Sequence, residues 1–344
     1  GFISRNNDMR ELCADFLEDG AHFFDVLDRY DKLTSFVLNR EDATLGCAWK
    51  WSIPFLKAAG ATDYQIHKNS IKNLQLMPNI ENTVRYTSNL MPTYISTETY
   101  EHGMMDVMDR LGEPQCEVNC SGLCIDQCMM GRLESRKLLE AAKEICSLKV
   151  PKKFYELNQL TELMNEDIMI IKTMDRILSQ VIPDAGAMVL MEATDTLTSH
   201  KKAYKMLDIR RMTAIDLVST MYVGSSSTDF QAMDLVRDGG GLAISFNGEE
   251  FAVRGSNVAI LSEDTTVVAI FASEFMDKGP IRAMEVAENW SREYLESEDF
   301  VDRNLIRRFL EMHPYDLPEV YFVDDDNVDF VSKRSDEFRK RIIC

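Results

Sequence analysis

The stretch 221–253, MYVGSSSTDFQAMDLVRDGGGLAISFNGEEFAV, carries the order on which the fold turns. A β-rich run, Leu217 to Val223, ends at Gly224, and three serines, a threonine and the carboxylate Asp229 follow it. A helical pattern over 229–237, a glycine triplet and a second apolar run, Leu242 to Phe246, complete the unit. Strand, polar turn, helix, strand is the order of an α/β layer, and such layers bind ligands at the carboxyl ends of their strands.

Outward from this unit the pattern alternates. A helix is expected near Lys201 to Met212, and further strands at Val258 to Leu261 and Thr266 to Phe271. Upstream, a Pro-initiated helix (Ile80, Val84, Leu90) leads through Pro92 to a short strand, Thr93 to Ile95, which stops at Ser96 and Thr97. Residues 8–75 read as helical: Leu12, Phe16, Phe23, Val26, Leu27, Tyr30 and Leu33 recur at mostly three- and four-residue intervals, with breaks expected at Pro54 and Gly60. A long helical pattern runs from Leu157 and Leu160 through Ile168, Ile171 and Met174 to Val181, and "VYFVDDDNVDFV" offers a late strand or a linker.

Composition narrows the class. Thirty-eight Lys and Arg against 57 Asp and Glu give a net charge of −19 and a pI near 4.7. Without a basic patch or arm, nucleic acid and anionic lipid are poor partners. The longest apolar runs fall far short of the roughly 20 residues that cross a bilayer. Eight cysteines without a secretion signal read as reduced thiols of a cytoplasmic protein.

Three features collect at strand ends or helix starts: Ser96 and Thr97, then Lys201 and Lys202, then Gly224 with Asp229. Hydroxyl, ammonium and carboxylate around one sheet edge suit a phosphoryl group beside Mg²⁺. Each residue also has a plainer reading. Ser96 and Thr97 could cap a helix, Lys202 could share a solvated face with Lys201 and Lys205, and Asp229 could be an N-cap. No dinucleotide fingerprint, P-loop or nucleophile elbow is present.

The order of these motifs resembles the haloacid dehalogenase superfamily of aspartate-nucleophile phosphatases. "MPNIENTVRYTSNLMPTYIST" looks like the approach to that family's second motif, with Ser96 at the phosphate position. Lys202 looks like the third-motif lysine, and "YVGSSSTDFQAMD" is similar to the fourth motif, G-D-x-x-x-D. Within the superfamily the chain resembles an archaeal branch, whose members are often labelled as a subunit associated with energy-converting hydrogenase A or simply as haloacid-dehalogenase-like proteins. The resemblance implies a three-layer Rossmann-like α/β core with helical cap insertions. The core would comprise 1–7, 76–103 and 198–290, and the cap 8–75. A second insertion at 104–197 would hold the cysteine-rich loop and the long helix, with a C-terminal helical extension at 291–344. It also implies phosphate contacts from Gly1, Ser96 and Thr97, a small phosphorylated substrate, and Mg²⁺ held at Asp229.

Two departures qualify the resemblance. "GFIS" matches the end of the family's first motif, which places the nucleophilic aspartate upstream of residue 1. Ser225 stands where the first metal-holding acid belongs, and a hydroxyl is a poor replacement for a carboxylate on a hard cation. The expectation is therefore a weak or lost Mg²⁺-dependent phosphatase, or a non-catalytic subunit docked to a hydrogenase complex. Separately, Cys116, Cys120, Cys124 and Cys128 recur every four residues. That spacing permits zinc or an iron–sulfur cluster, and equally permits buried free thiols.

Overall fold

The computed structural model describes residues 1–151, 163–297 and 299–342. Its helical part begins where the three- and four-residue apolar spacing does. Asn7 and Thr62 cap helices Asp8–Phe16 and Asp63–Asn73 by accepting the backbone N–H groups of Arg10 and Gln65. These two pack with Gly20–Lys32 and Cys47–Ala58 around Phe23, Leu27, Ile53 and Phe55, all fully buried. The helix Cys47–Ala58 runs through Pro54 rather than breaking there. The ring is buried, so packing offsets the lost backbone hydrogen bond. Helices Arg132–Cys146 and Asn165–Arg176 join the same core through Ile145 and Ile170. The expected cap and most of the expected second insertion thus share one hydrophobic core. Leu157 and Leu160 of the long pattern lie outside the described residues.

Arg29 ties this helical body together. It donates to both oxygens of Asp167 at 2.9 and 3.2 Å, and both side chains are almost wholly buried.

The strands form two sheets. β1 (Thr93–Tyr100) pairs in parallel with β2 (Cys116–Ser121), with Ser96 opposite Asn119. The segment expected as a cysteine loop therefore begins as a strand. In the second sheet β3 (Met221–Gly224), β4 (Leu242–Phe246) and β5 (Val258–Leu261) run parallel, and β6 (Glu319–Phe322) closes the edge antiparallel to β5. The late apolar run is a strand of the sheet, so the C-terminal segment belongs to the core rather than extending from it. β4 and β5 are buried on both faces, as strands covered by helices on either side must be.

Two strand expectations change. Leu217–Ser219 forms one helical turn, and β3 starts only at Met221. Thr266 to Phe271 opens the helix Thr266–Glu288, whose residues from Thr266 to Phe275 are all buried. A helix that is apolar on every side carries no 3.6-residue stripe, so a β-branched run there reads as a strand. Among the described residues no helix is long and apolar enough to cross a membrane.

β1 and β3 each pair on one side only among the described residues. Residues 91–99 and 219–225 face each other across a cavity of about 420 Å³. Lys202 bridges Glu98, near the carboxyl end of β1, and Asp229, in the turn that follows β3.

Candidate functional site

The cavity opens at the carboxyl ends of β1 and β3. β1 carries Ser96 and Glu98, which both line the cavity, and its register with β2 shifts just after Ser96. The Ser96 hydroxyl lines the cavity and has no protein partner among the described residues. Thr97 is turned to local use: its hydroxyl donates to Thr99 Oγ1 and accepts the Thr99 N–H. Asp8, from the start of a neighbouring helix, accepts from Thr99 Oγ1 at 2.7 Å.

β3 ends at Gly224, where the chain is crowded. A Cβ there would lie 2.5 Å from Met233 Sδ and 2.7 Å from Asp229 Cβ, so only glycine fits. The turn after it is held by Asp229. Its Oδ2 accepts the N–H groups of Ser225 and Ser226 at 2.9 and 3.0 Å, and Ser226 completes a reciprocal capping box. Asp229 Oδ1 accepts from Lys202 Nζ at 2.8 Å and from Tyr222 at 3.1 Å. The structure thus combines the capping reading of Asp229 with its place in the site.

Lys202 resolves the choice between adjacent lysines. The helix Ser199–Thr213 buries Lys202 to 2% exposure, while Lys201 points out to Asp195. All three N–H groups of Lys202 are engaged, by Glu98 at 2.7 Å, Asp229 at 2.8 Å and Thr228 at 2.9 Å. Burial opposes its charge, but Asp229 and Glu98 outweigh that and hold the ammonium above its ordinary range. In return Asp229 stays below the usual carboxylate range despite its burial.

Gly1 also lines the cavity, and a Cβ on it would stand 3.2 Å from Ser225 Oγ. Arg339 arrives from the helix Val328–Ile342. It donates to the Ser225 carbonyl at 3.2 Å, the Asn247 carbonyl at 2.7 Å and Glu249 Oε1 at 3.3 Å. Burial raises the Glu249 carboxyl, but Lys32 and Arg339 overcome it and bring it to about 2.

These residues do not fit the implied Mg²⁺. Both oxygens of Asp229 are committed to Lys202, Tyr222 and the serine turn, and Ser225 supplies only a hydroxyl. Among the described residues no group of three or more His, Cys, Asp or Glu is placed to hold a metal ion. The cysteines do not converge either. Cys116 and Cys120 lie against the core around β4, Cys128 against the helical core, and Cys124 is exposed beside Asp63. The x₃ spacing of Cys116 and Cys120 falls on a strand, where it points both thiols to one face rather than around an ion.

Ser96, Lys202, Ser225 and Asp229 line one cavity, while the Thr97 hydroxyl serves its own turn. Sequence reasoning missed Glu98, whose signal was its position two residues after Ser96 on one strand. It also missed Asp28 and Asp31, polar residues on an otherwise apolar helix face. Arg339, more than a hundred residues from its partners, carried no local signal.

No family model and no curated protein matches this chain. Among solved structures, the chain is similar to the gene product AF1437 from Archaeoglobus fulgidus. The likeness covers 99% of this chain and 94% of that one, with a TM-score of 0.79 and 20% identity. At that identity the likeness establishes the shared mixed α/β fold.

Proposed function

We propose that this chain is a haloacid-dehalogenase-like scaffold with a three-layer core, and that it is a weakened form of an aspartyl-phosphate phosphatase. It binds a small phosphorylated molecule and turns it over slowly or not at all. The observation that carries this reading is Lys202, buried between Glu98 near the end of β1 and Asp229 just after β3, in a cavity lined by both strands. Ser96 and the backbone N–H groups of the Ser225 turn would hold phosphoryl oxygens, with Lys202 exchanging one present partner for the ligand.

The engaged Asp229 and the hydroxyl of Ser225 favour binding over turnover. Isothermal titration with inorganic phosphate tests this. The expected result is binding that is indifferent to Mg²⁺ in the wild type. In Ser225→Asp it should tighten about tenfold when Mg²⁺ is added, since a carboxylate restores a hard-cation ligand. Failure of phosphate and phosphomonoesters to bind at all would overturn the reading.

A further inference from the structure

Part of the cavity wall is made by the helical body. Asp28 and Asp31 lie one turn apart on the helix Gly20–Lys32, and both line the cavity with Phe24 and Trp49. Asp31 is 2% exposed. Its Oδ2 accepts the N–H groups of Gly46 at 2.8 Å and Ala48 at 3.1 Å, at the start of the helix Cys47–Ala58. Its Oδ1 is buried and has no hydrogen-bond partner among the described residues. A buried carboxylate oxygen without a donor is rare in native proteins, because its lost hydration is not replaced.

Charge separates the possible donors. Asp28 shares Lys32 with Glu249, at 2.8 and 3.3 Å, and Arg339 is spent on Glu249 and two carbonyls. Among the described residues no cation forms an ion pair with Asp31, and Lys32, held by Asp28 and Glu249, acts on it only at a distance. A hydroxyl would satisfy the open oxygen but leave its charge uncompensated, whereas an ammonium group does both.

We infer that the Asp28–Asp31 wall binds a primary ammonium group, so that the ligand of this cavity is an amine-bearing phosphomonoester. This inference rests on the phosphoryl-site reading above. The distance between the two ends is short. Gly46, which donates to Asp31, packs on Thr228, where a Cβ would lie 3.3 Å from Cγ2. Thr228 in turn holds Lys202 at 2.9 Å. Two small residues thus separate the acid from the ammonium of Lys202, and Gly46 meets this close approach at φ +102°.

Titration of the full chain with O-phosphoethanolamine, ethyl phosphate, ethylamine and inorganic phosphate decides the matter. We expect O-phosphoethanolamine to bind at least about tenfold more tightly than ethyl phosphate. Asp31→Asn should remove that preference while leaving ethyl phosphate affinity unchanged. Asp28→Asn, at a more exposed position, should reduce it and serves as the test if Asp31→Asn does not fold. Equal affinities of the two esters for the wild type would overturn the amine site and leave the phosphoryl reading standing. Binding of ethylamine without inorganic phosphate would support the amine site and overturn the phosphoryl reading.

Discussion

Asp31→Asn is expected to be more stable than the wild type at pH 8, with the gap closing as the pH falls toward 5. Burial pushes the Asp31 carboxyl up to about 7, with the nearby Asp28 adding to it, against the lowering effect of the Ala48 and Gly46 N–H groups and Lys32. A carboxyl whose folded pKa lies above its unfolded value holds its proton more tightly in the native state. Between about pH 4 and pH 7 the unfolded chain has lost that proton and the folded chain has not, so stability falls as the pH rises through this window. A shift of about three units corresponds to roughly 4 kcal/mol once both states are ionised. Asparagine keeps an oxygen for the Gly46 and Ala48 N–H groups and carries no charge at any pH. The stability difference between variant and wild type should therefore widen by roughly 2–3 kcal/mol from pH 5 to pH 8. Urea unfolding midpoints at the two pH values measure it. A variant less stable than the wild type at pH 8 would mean that Asp31 is needed as a charged helix cap, and that the cavity does not strain it.

Lys202→Met is expected to destabilise the protein by about 3–5 kcal/mol, the usual cost of removing one partner from a buried ion pair. The ammonium is 2% exposed, with Asp229 at 10% and Glu98 at 18%. Methionine fills most of the volume but leaves both carboxylates facing each other in the cavity. Thr228 loses its contact, and Asp229 keeps only Tyr222 and the serine-turn donors. Adding Asp229→Asn should recover part of the loss, because it removes the uncompensated charge. The two single variants and the double variant form a cycle that isolates the pair from the packing change. A loss under about 1 kcal/mol for Lys202→Met would place the lysine among weak surface pairs and remove the central charge from the proposed site.

The two effects have opposite signs for one reason. Asp31 leaves one buried oxygen without a donor among the described residues, whereas every N–H of Lys202 is engaged. Neutralising the first should therefore stabilise the fold, and removing the second should weaken it.

What the chain order settled by itself was local. The apolar run Leu242–Phe246, bounded by three glycines and an Asn-Gly turn, could only be a buried strand, and it is. The three- and four-residue spacing of Leu12, Phe23 and Leu27 made residues 8–75 helical, because that period is a property of the helix itself. Ser96, Lys202 and Asp229 were legible for a related reason: each stands beside the end of an element, where the motif order placed it.

Tertiary structure decided the rest. The β-branched run at Thr266 became a helix because it is covered on every side, and burial from all directions erases the periodicity that separates helix from strand. The cysteines, evenly spaced along the chain, divide between two cores because a strand sends residues four apart to one face. Arg339 meets Ser225, and Asp31 lies close to Lys202 through Gly46 and Thr228, only when the helical body and the C-terminal helix pack over the sheet. Contacts between residues so far apart depend on how whole elements pack, and no short-range pattern in the sequence records that.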